Sequence, residues 1–317
     1  MRGIWGSSSR DVYIVGHSDL ASGQMWHYNG KGWIPVHLHA SYGGPIEGAF
    51  SFGSIYGFSE KEIFAVGGRY EYDFGEWIRN PLIVRFDGSS WHIDDISHLG
   101  EDISPLSCVW GLSPTQIWAG GGYSGDGPKG VILYYDGLDW RKDSLSALVP
   151  EQLAITDFGG SSINDIYAVG VQYRASEISD MKYLLKRQPS GLWIPVDSLQ
   201  TGLQRFGTRL WTSPSGKLYS ASNNGVFLRK NETWERMGSI DSGWPSKLFG
   251  SGDRNIFYLS SHGLYHYNGI DWSLNQDAIF TKWGEWFYDA GWTDGNQAFI
   301  TARIWDFPQR TIILHGR

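Results

Sequence analysis

One cysteine in 317 residues, Cys108, is too few for an internal disulfide or a cysteine-based zinc site. Charge is scarce as well: Asp, Glu, Lys and Arg make up 19% of the chain, and 33 acidic against 26 basic residues leave a formal net charge of -7. Phosphate-backbone binding needs a surplus of Lys and Arg on one surface, so nucleic acid is not an expected partner. No apolar run reaches the roughly 18 residues of a membrane-spanning helix, and none is expected. A Gly-rich phosphate loop, a nucleophile elbow and a Cys-His nucleophile pattern are all missing. No stretch keeps a convincing helical period. Met1-Arg2-Gly3 leads straight into patterned sequence without a basic and apolar leader. The expectation is a cytoplasmic protein or a chain whose leader has been removed.

Aromatic rings and glycine are abundant. Aromatic residues make up 15%, with 17 Trp, 17 Tyr and 15 Phe, and Gly numbers 42. Disordered chains are poor in such rings, so a packed core is expected. Length alone allows two domains, but all-β single domains of this size are common.

Self-comparison reveals a repeat. Ile4-Trp5-Gly6 is followed by Val12-Tyr13-Ile14-Val15-Gly16. The pair recurs as Ile55-Tyr56-Gly57 with Ile63 to Gly67, Val109-Trp110-Gly111 with Ile117 to Gly120, and Phe158-Gly159-Gly160 with Ile166 to Gly170. Weaker copies are Leu210-Trp211-Thr212 with Leu218-Tyr219-Ser220, Leu248-Phe249-Gly250 with Ile256-Phe257-Tyr258, and Ala290-Gly291-Trp292 with Ala298-Phe299-Ile300. In all seven, the last residue of the first block lies six positions before the first apolar residue of the second. Each unit carries a third apolar segment, such as Met25 to Tyr28, and six carry a fourth that opens with Trp: Trp33, Trp91, Trp140, Trp193, Trp234 and Trp272. In the clearest copies that Trp stands three residues after the Gly of Asn29-Gly30, Asp87-Gly88, Asp136-Gly137 or Asn268-Gly269. Such pairs between apolar runs mark hairpins, because Gly and Asn or Asp tolerate positive φ. The segments are rich in Val, Ile, Tyr, Phe and Trp and read as strands A, B, C and D of one antiparallel sheet. The recurring strand-D Trp reads as structural.

Seven such units, starting near residues 4, 55, 109, 158, 210, 248 and 290, predict an all-β seven-bladed β-propeller of four-stranded antiparallel blades. It is expected to form one domain over residues 1–317. The seventh unit ends at Leu314-His315-Gly316-Arg317 without a following Trp, which predicts a three-stranded last blade and 27 strands in all. The ring would then close by packing of its A and B strands alone. Its open edge, over residues 310–317, predicts a monomer with weak association through that edge.

Ile63 to Gly68, Val84-Arg85-Phe86-Asp87 and Trp91 resemble a kelch repeat, an apolar run ending Gly-Gly, then an aromatic-Asp pair, then Trp. Ile117 to Gly121, Tyr135-Asp136 and Trp140 match as well. The opening block is similar to degenerate propeller repeats of bacterial surface and secreted proteins. The resemblance covers nearly the whole chain and implies an extracellular or cell-surface protein, with a cytoplasmic setting left open. Kelch-like propellers include oxidases, sugar binders and protein-interaction scaffolds. The copper oxidases among them need Tyr, His and Cys ligands in a pattern that does not occur here.

Two faces differ. The A–B and C–D connections are short and even, whereas the D–A and B–C connections are long and uneven, for example His37 to Ser54 and Gly68 to Pro81. Only Ser222 to Gly225 and Ser260 to Gly263 are tight B–C turns. Uneven loops on a rigid scaffold are where function sits. They carry Tyr72, Trp77 and Arg79 in the longest B–C loop and Trp283 and Trp286 before the last unit. Aromatic rings interleaved with polar groups suit sugar rings. The residues just before strand A, namely Arg2, Ser54, Cys108, Asp157, Arg209, Lys247 and Asp289, should ring the mouth of a central channel. The expected ligand site is therefore Tyr72, Trp77, Arg79, Arg209, Lys247, Trp283 and Trp286 on one concave face. The expected function is a non-enzymatic binding module for a carbohydrate or protein partner, with no cofactor. The alternative is a carbohydrate-active hydrolase or lyase using carboxylates such as Asp94, Asp95, Glu101, Asp102 or Glu285. His37-Leu38-His39 lacks a third ligand, so no metal is expected. His27 and His266 share one strand-C register and read as partly buried blade residues.

Overall fold

The computed structural model describes residues 1–17, 25–38, 49–73, 76–100, 103–122, 130–172, 180–200, 205–240, 243–275, 286–304 and 310–316; at 49, 70–73, 76–79, 200, 286, 304 and 310 it describes the backbone only. Among these residues 27 strands form seven antiparallel sheets in simple up-and-down order. Blade one is β1 (Gly3–Ser8), β2 (Asp11–Val15), β3 (Met25–Tyr28) and β4 (Trp33–Pro35). Blade two is β5 (Ala49–Ser59), β6 (Glu62–Asp73), β7 (Glu76–Phe86) and β8 (Trp91–Ile93). Blade three is β9 (Leu106–Ser113), β10 (Gln116–Gly121), β11 (Val131–Tyr135) and β12 (Trp140–Lys142). Blade four is β13 (Leu153–Ser162), β14 (Asp165–Gln172), β15 (Met181–Arg187) and β16 (Trp193–Gln200). Blade five is β17 (Arg209–Thr212), β18 (Leu218–Ser222), β19 (Gly225–Lys230) and β20 (Thr233–Arg236). Blade six is β21 (Pro245–Gly252), β22 (Asn255–Ser260), β23 (Gly263–Tyr267) and β24 (Trp272–Asn275). Blade seven has three strands, β25 (Trp286–Thr293), β26 (Ala298–Ile304) and β27 (Arg310–Gly316). Among the described residues the one helical segment is a 3-10 turn at Ser97–Leu99, and no helix is long and apolar enough to cross a membrane.

The turn chemistry follows the sequence. Asn29 closes the β3–β4 turn by accepting the Lys31 and Gly32 amides at 3.0 and 3.1 Å, and Gly30 takes φ 84°. Asp87, Asp136 and Asn268 make the same pair of bonds in blades two, three and six, with Gly88, Gly137 and Gly269 at φ 91°, 97° and 96°. A side chain with a Cβ avoids that region, so Gly holds the position.

The core lies in the seams between blades. Branched aliphatics of strand B, such as Ile63, Ile117 and Ile166, are fully buried against the preceding blade. Ring closure uses more of blade one than its A and B strands. Ile4, Val12 and Ile14 pack on Ala290 and Phe299, but Tyr28 and Trp33 from strands C and D join the same cluster. Tyr28 lies 5.8 Å from Phe299, ring to ring. The longer reach arises because the outer strands of blade one cover the side of blade seven.

The seventh repeat is phased one residue later than its sequence suggests. In the other six blades the last residue of the first block pairs with the first apolar residue of the second, as in Gly6↔Val12 and Thr212↔Leu218. In blade seven Thr293 pairs with Ala298 and Trp292 with Phe299. Its A–B turn is one residue shorter and closes on Asp294, which accepts the Asn296 and Gln297 amides.

Candidate functional site

Strand A meets the channel through a shared irregularity. Its ladder to strand B skips one residue at Gly53, Ser107, Thr156, Ser246 and Asp289. An extra residue of this kind bends the strand and re-aims its side chain. Beside each one, strand B presents a small residue: Gly67, Gly121, Gly170, Ser260 and Ala302. The reason is space, since a Cβ on Gly67 would collide with the Ser51 carbonyl oxygen and one on Gly121 with that of Pro105. The Gly-Gly signature of blades two and three thus makes room for the bulge. Ser and Ala do the same in blades that lack it.

The bulged residues line a cavity of about 460 Å³ at the channel mouth, together with Arg2, Ser54, Cys108, Asp157, Arg209 and Lys247. All seven positions expected to ring the mouth are in its wall. Neighbouring blades are tied there by hydrogen bonds. The Ser107 hydroxyl donates to the Ile155 carbonyl at 2.6 Å, that of Thr156 to the Thr208 carbonyl at 3.0 Å, and Arg209 Nε to the Ser246 carbonyl at 2.7 Å. Asp157 accepts the Phe158 amide with one oxygen and the Leu210 amide of the next blade with the other, both at 3.1 Å.

Positive charge prevails in the wall. Arg2, Arg209, Lys247 and Arg303 stand against Asp157 and Asp289, four cations to two anions. Asp289 is taken up by Arg303, whose Nε lies 2.7 and 2.9 Å from its two oxygens, and the Met1 amino group is 3.6 Å away. Burial pushes the Asp289 carboxyl above its ordinary value, and the two cations pull it partly back. Burial also pushes the Cys108 thiol far up, so Cys108 lines the wall as a neutral thiol rather than a nucleophile. Among the described residues the Lys247 ammonium has no hydrogen-bond or ion-pair partner.

Of the expected ligand residues, the structure brings Arg209 and Lys247 together in this cavity. The supposed loop carrying Tyr72, Trp77 and Arg79 is strand instead. β6 and β7 run on as a paired arm, with Tyr72 opposite Trp77 and Tyr70 opposite Arg79. Alternating aromatics and polar residues have strand periodicity, which the loop reading passed over. Their side chains lie outside the described residues, as does that of Trp286, which opens β25 opposite Ile304. Trp283, Glu101, Asp102 and Glu285 lie wholly outside them.

The described carboxylates of the enzyme reading have other partners. Asp94 accepts the Trp140 indole N–H at 2.8 Å, and Asp95 accepts the Ser97 amide at 2.9 Å. His27 and His266 stack on Tyr13 and Phe257 and bond Asp11 and Asn255, and His315 repeats the arrangement on Phe299 with Gln297. No three His, Cys, Asp or Glu residues cluster to hold a metal among the described residues. Two residues escaped the sequence reading. Arg303, in the mouth wall, lies near the end of β26 inside an apolar run, and Trp244, 69% exposed, directly precedes in the chain the lining segment Pro245 to Lys247. A signal existed for Trp244, because it belongs to no repeat register.

No protein-family model matches the chain, and no curated protein sequence matches it. Solved structures match in fold. YCF48 bound to D1 peptide is similar at 13% identity and a TM-score of 0.60, with 94% of this chain and 89% of that one covered. The extracellular domain of the hybrid two-component system BT3049 from B. thetaiotaomicron is similar at 10% identity and a TM-score of 0.60. That match covers 94% of this chain but 38% of the other. At such identities the likeness concerns the propeller fold alone.

Proposed function

We propose that the chain is a non-enzymatic binding module whose channel mouth receives an acidic segment of a protein partner. The observation that carries this reading is the charge of the mouth. In a chain of net charge -7, the cavity holds four cations against two anions, and both anions are already engaged by protein donors. Lys247 is left to meet a ligand. The bonds between blades pre-organise the rim, which lowers the cost of ordering it on binding. Trp244, exposed and adjoining in the chain the lining segment that carries Lys247, is of a residue type enriched at binding hot spots. A propeller of similar fold bound to a peptide supports the same partner class. The kelch-like pattern of blades two and three, a scaffold of protein-interaction modules among others, fits this reading. We place the module outside the cell or at its surface, supported by the likeness of its degenerate repeats to those of surface proteins; fractionation of the source cells tests that placement.

The binding test is calorimetric titration with a synthetic tetraglutamate peptide, a tetralysine control and a panel of neutral oligosaccharides. Saturable binding of tetraglutamate is expected, weakened by salt and roughly tenfold weaker in Lys247→Glu. Binding of an oligosaccharide with no binding of tetraglutamate would overturn the proposal in favour of a carbohydrate ligand.

A further inference from the structure

In six blades the Trp that opens strand D fills the seam to the preceding blade. Trp33 joins the cluster between blades seven and one, Trp91 stands edge-on to Tyr13 of blade one, and Trp140 stands edge-on to Phe64 of blade two. Trp193 bonds Asp143 of blade three, Trp234 packs on the cluster of Tyr167, and the Trp272 indole N–H donates to the Met237 carbonyl. The seam between blades six and seven has no such indole among the described residues. It holds a half-open cavity of about 510 Å³ instead, walled by Phe257, Leu264 and His266 on one side and Ala298, Leu314 and Gly316 on the other.

Three truncations of the repeat make this cavity. The first inward residue of strand B is Val12, Ile63, Ile117, Ile166, Leu218 or Ile256 in the other blades and Ala298 here. The strand-C residue one rung from the turn, opposite the strand-D Trp, is Tyr28, Phe86, Tyr135, Arg187, Arg229 or Tyr267 elsewhere. Its counterpart here is Gly316, paired with Ala298, and a Cβ on Gly316 would meet nothing within 4 Å. The third is that no strand-D Trp stands opposite Gly316 among the described residues. Among those residues β27 is the outer strand of its sheet, so its outward backbone groups are placed for pairing.

We propose that this seam is a second binding site, for an extended segment of a partner protein that pairs with β27 and seats a Trp in the cavity opposite Gly316. The six filled seams define the occupant, a short strand led by Trp in the register of strand D. A second folded copy of this chain has none to give, because each of its Trp-led strands is already paired within its own blade. Strand addition of this kind draws affinity from the backbone and specificity from one anchored side chain. The site is separate from the channel mouth and does not rest on the reading of that mouth.

The test uses a fluorescein-labelled peptide with the sequence of residues 268–275, Asn-Gly-Ile-Asp-Trp-Ser-Leu-Asn, and its Trp→Ala counterpart, titrated against the chain by fluorescence anisotropy. Saturable binding is expected for the first peptide and at least tenfold weaker binding for the second. Ala298→Phe, which fills the cavity, should lose the peptide while melting no lower than the parent. Leu314→Asp, which places a charge in the cavity wall, should lose it as well. The proposal is overturned by equal affinity for the two peptides, by no saturable binding, by binding retained in both folded variants, or by self-association through residues 310–316 that the Trp peptide does not compete with.

Discussion

The seam between blades three and four and the seam between blades six and seven are built on one plan and finished differently. In the first, Trp193 is fully buried against Phe158, and its indole N–H donates to Asp143 at 3.0 Å. Asp143 also accepts the Trp118 indole at 3.1 Å and Arg187 Nε at 3.0 Å. In the second, Ala298 and Gly316 line a cavity of about 510 Å³, with no such indole among the described residues. Inner strands are present in both, so they suffice to place a blade in the ring. The outer Trp completes the seam, and in blade four it adds a buried polar hub that fixes which neighbour it meets. A hub of this kind is sensitive, because removing one member strands the others without partners.

The largest effect should therefore come from emptying the filled seam. Trp193→Ala removes an indole at 0% exposure and should destabilise by on the order of 3–5 kcal/mol. Asp143→Ala should cost about as much, because it leaves the nearly buried Arg187 guanidinium and two indole N–H groups unpaired. Either variant should melt at least about 5 °C below the parent by calorimetry. A loss under about 1 kcal/mol would show that the seam relaxes around the gap and that the contrast with blade seven is only apparent.

The opposite change, made at the open seam, should be smaller and stabilising. Ala298→Ile restores the aliphatic side chain found in the other six blades and buries added methyl and methylene groups in existing space. A gain of roughly 1–2 kcal/mol is expected from the burial of about 0.8 kcal/mol per CH₂. Chemical denaturation with an unchanged slope would measure it. A destabilised variant would mean that the cavity walls have no room for a branched side chain.

How much of this contrast the sequence carried depends on the kind of signal. The blades were legible because the six-residue offset and the Trp register are local and repeated, and each repetition is an independent vote for the same strand pattern. The seven mouth positions were legible for the same reason. The bulges behind them were not, since their only trace is a small residue at the end of strand B, which is Gly, Ser or Ala by turns. The arm of blade two was read as a loop because its strands outrun the repeat length. Blade seven was misphased by one residue, because its A–B turn is shorter and Ala298 could be aligned with a branched aliphatic only by spacing. The open seam depends on small residues in two different strands, Ala298 and Gly316, and only the fold brings them to one place.

A third comparison sets the charged mouth against the apolar seam. Lys247→Glu should weaken tetraglutamate binding roughly tenfold and leave the Trp peptide untouched, whereas Ala298→Phe should do the reverse. Calorimetry on both variants with both probes checks the independence of the two sites. A variant that weakened both ligands equally would show that they share one surface.

The smallest effects concern pH, and two carboxylates should oppose each other. Asp253 fastens blade six to blade five, where it accepts the Ser215 and Tyr219 hydroxyls and meets Lys217 Nζ at 2.6 Å. Burial alone would raise its pKa, but the Lys217 ammonium and the hydroxyls of Ser213, Ser215 and Tyr219 outweigh burial and hold it at about 2. A depressed carboxyl stabilises the fold above its unfolded value of 3.8, and that contribution disappears as pH falls toward 2. Asp289, in the channel-mouth wall, is shifted the other way by burial, with the Met1 amino group and Arg303 compensating only in part. Its contribution is complete below 3.8 and is lost as pH rises through the raised value. Because Lys217 is half exposed, the Asp253 effect is screened, and Asp253→Asn should flatten the acid limb of the melting profile by only about 1–3 °C. Asp289→Asn should remove a decline on the other side of pH 3.8. If the two variants altered the same limb, Asp253 and Asp289 would be shifted in the same direction and the opposition between them would fail.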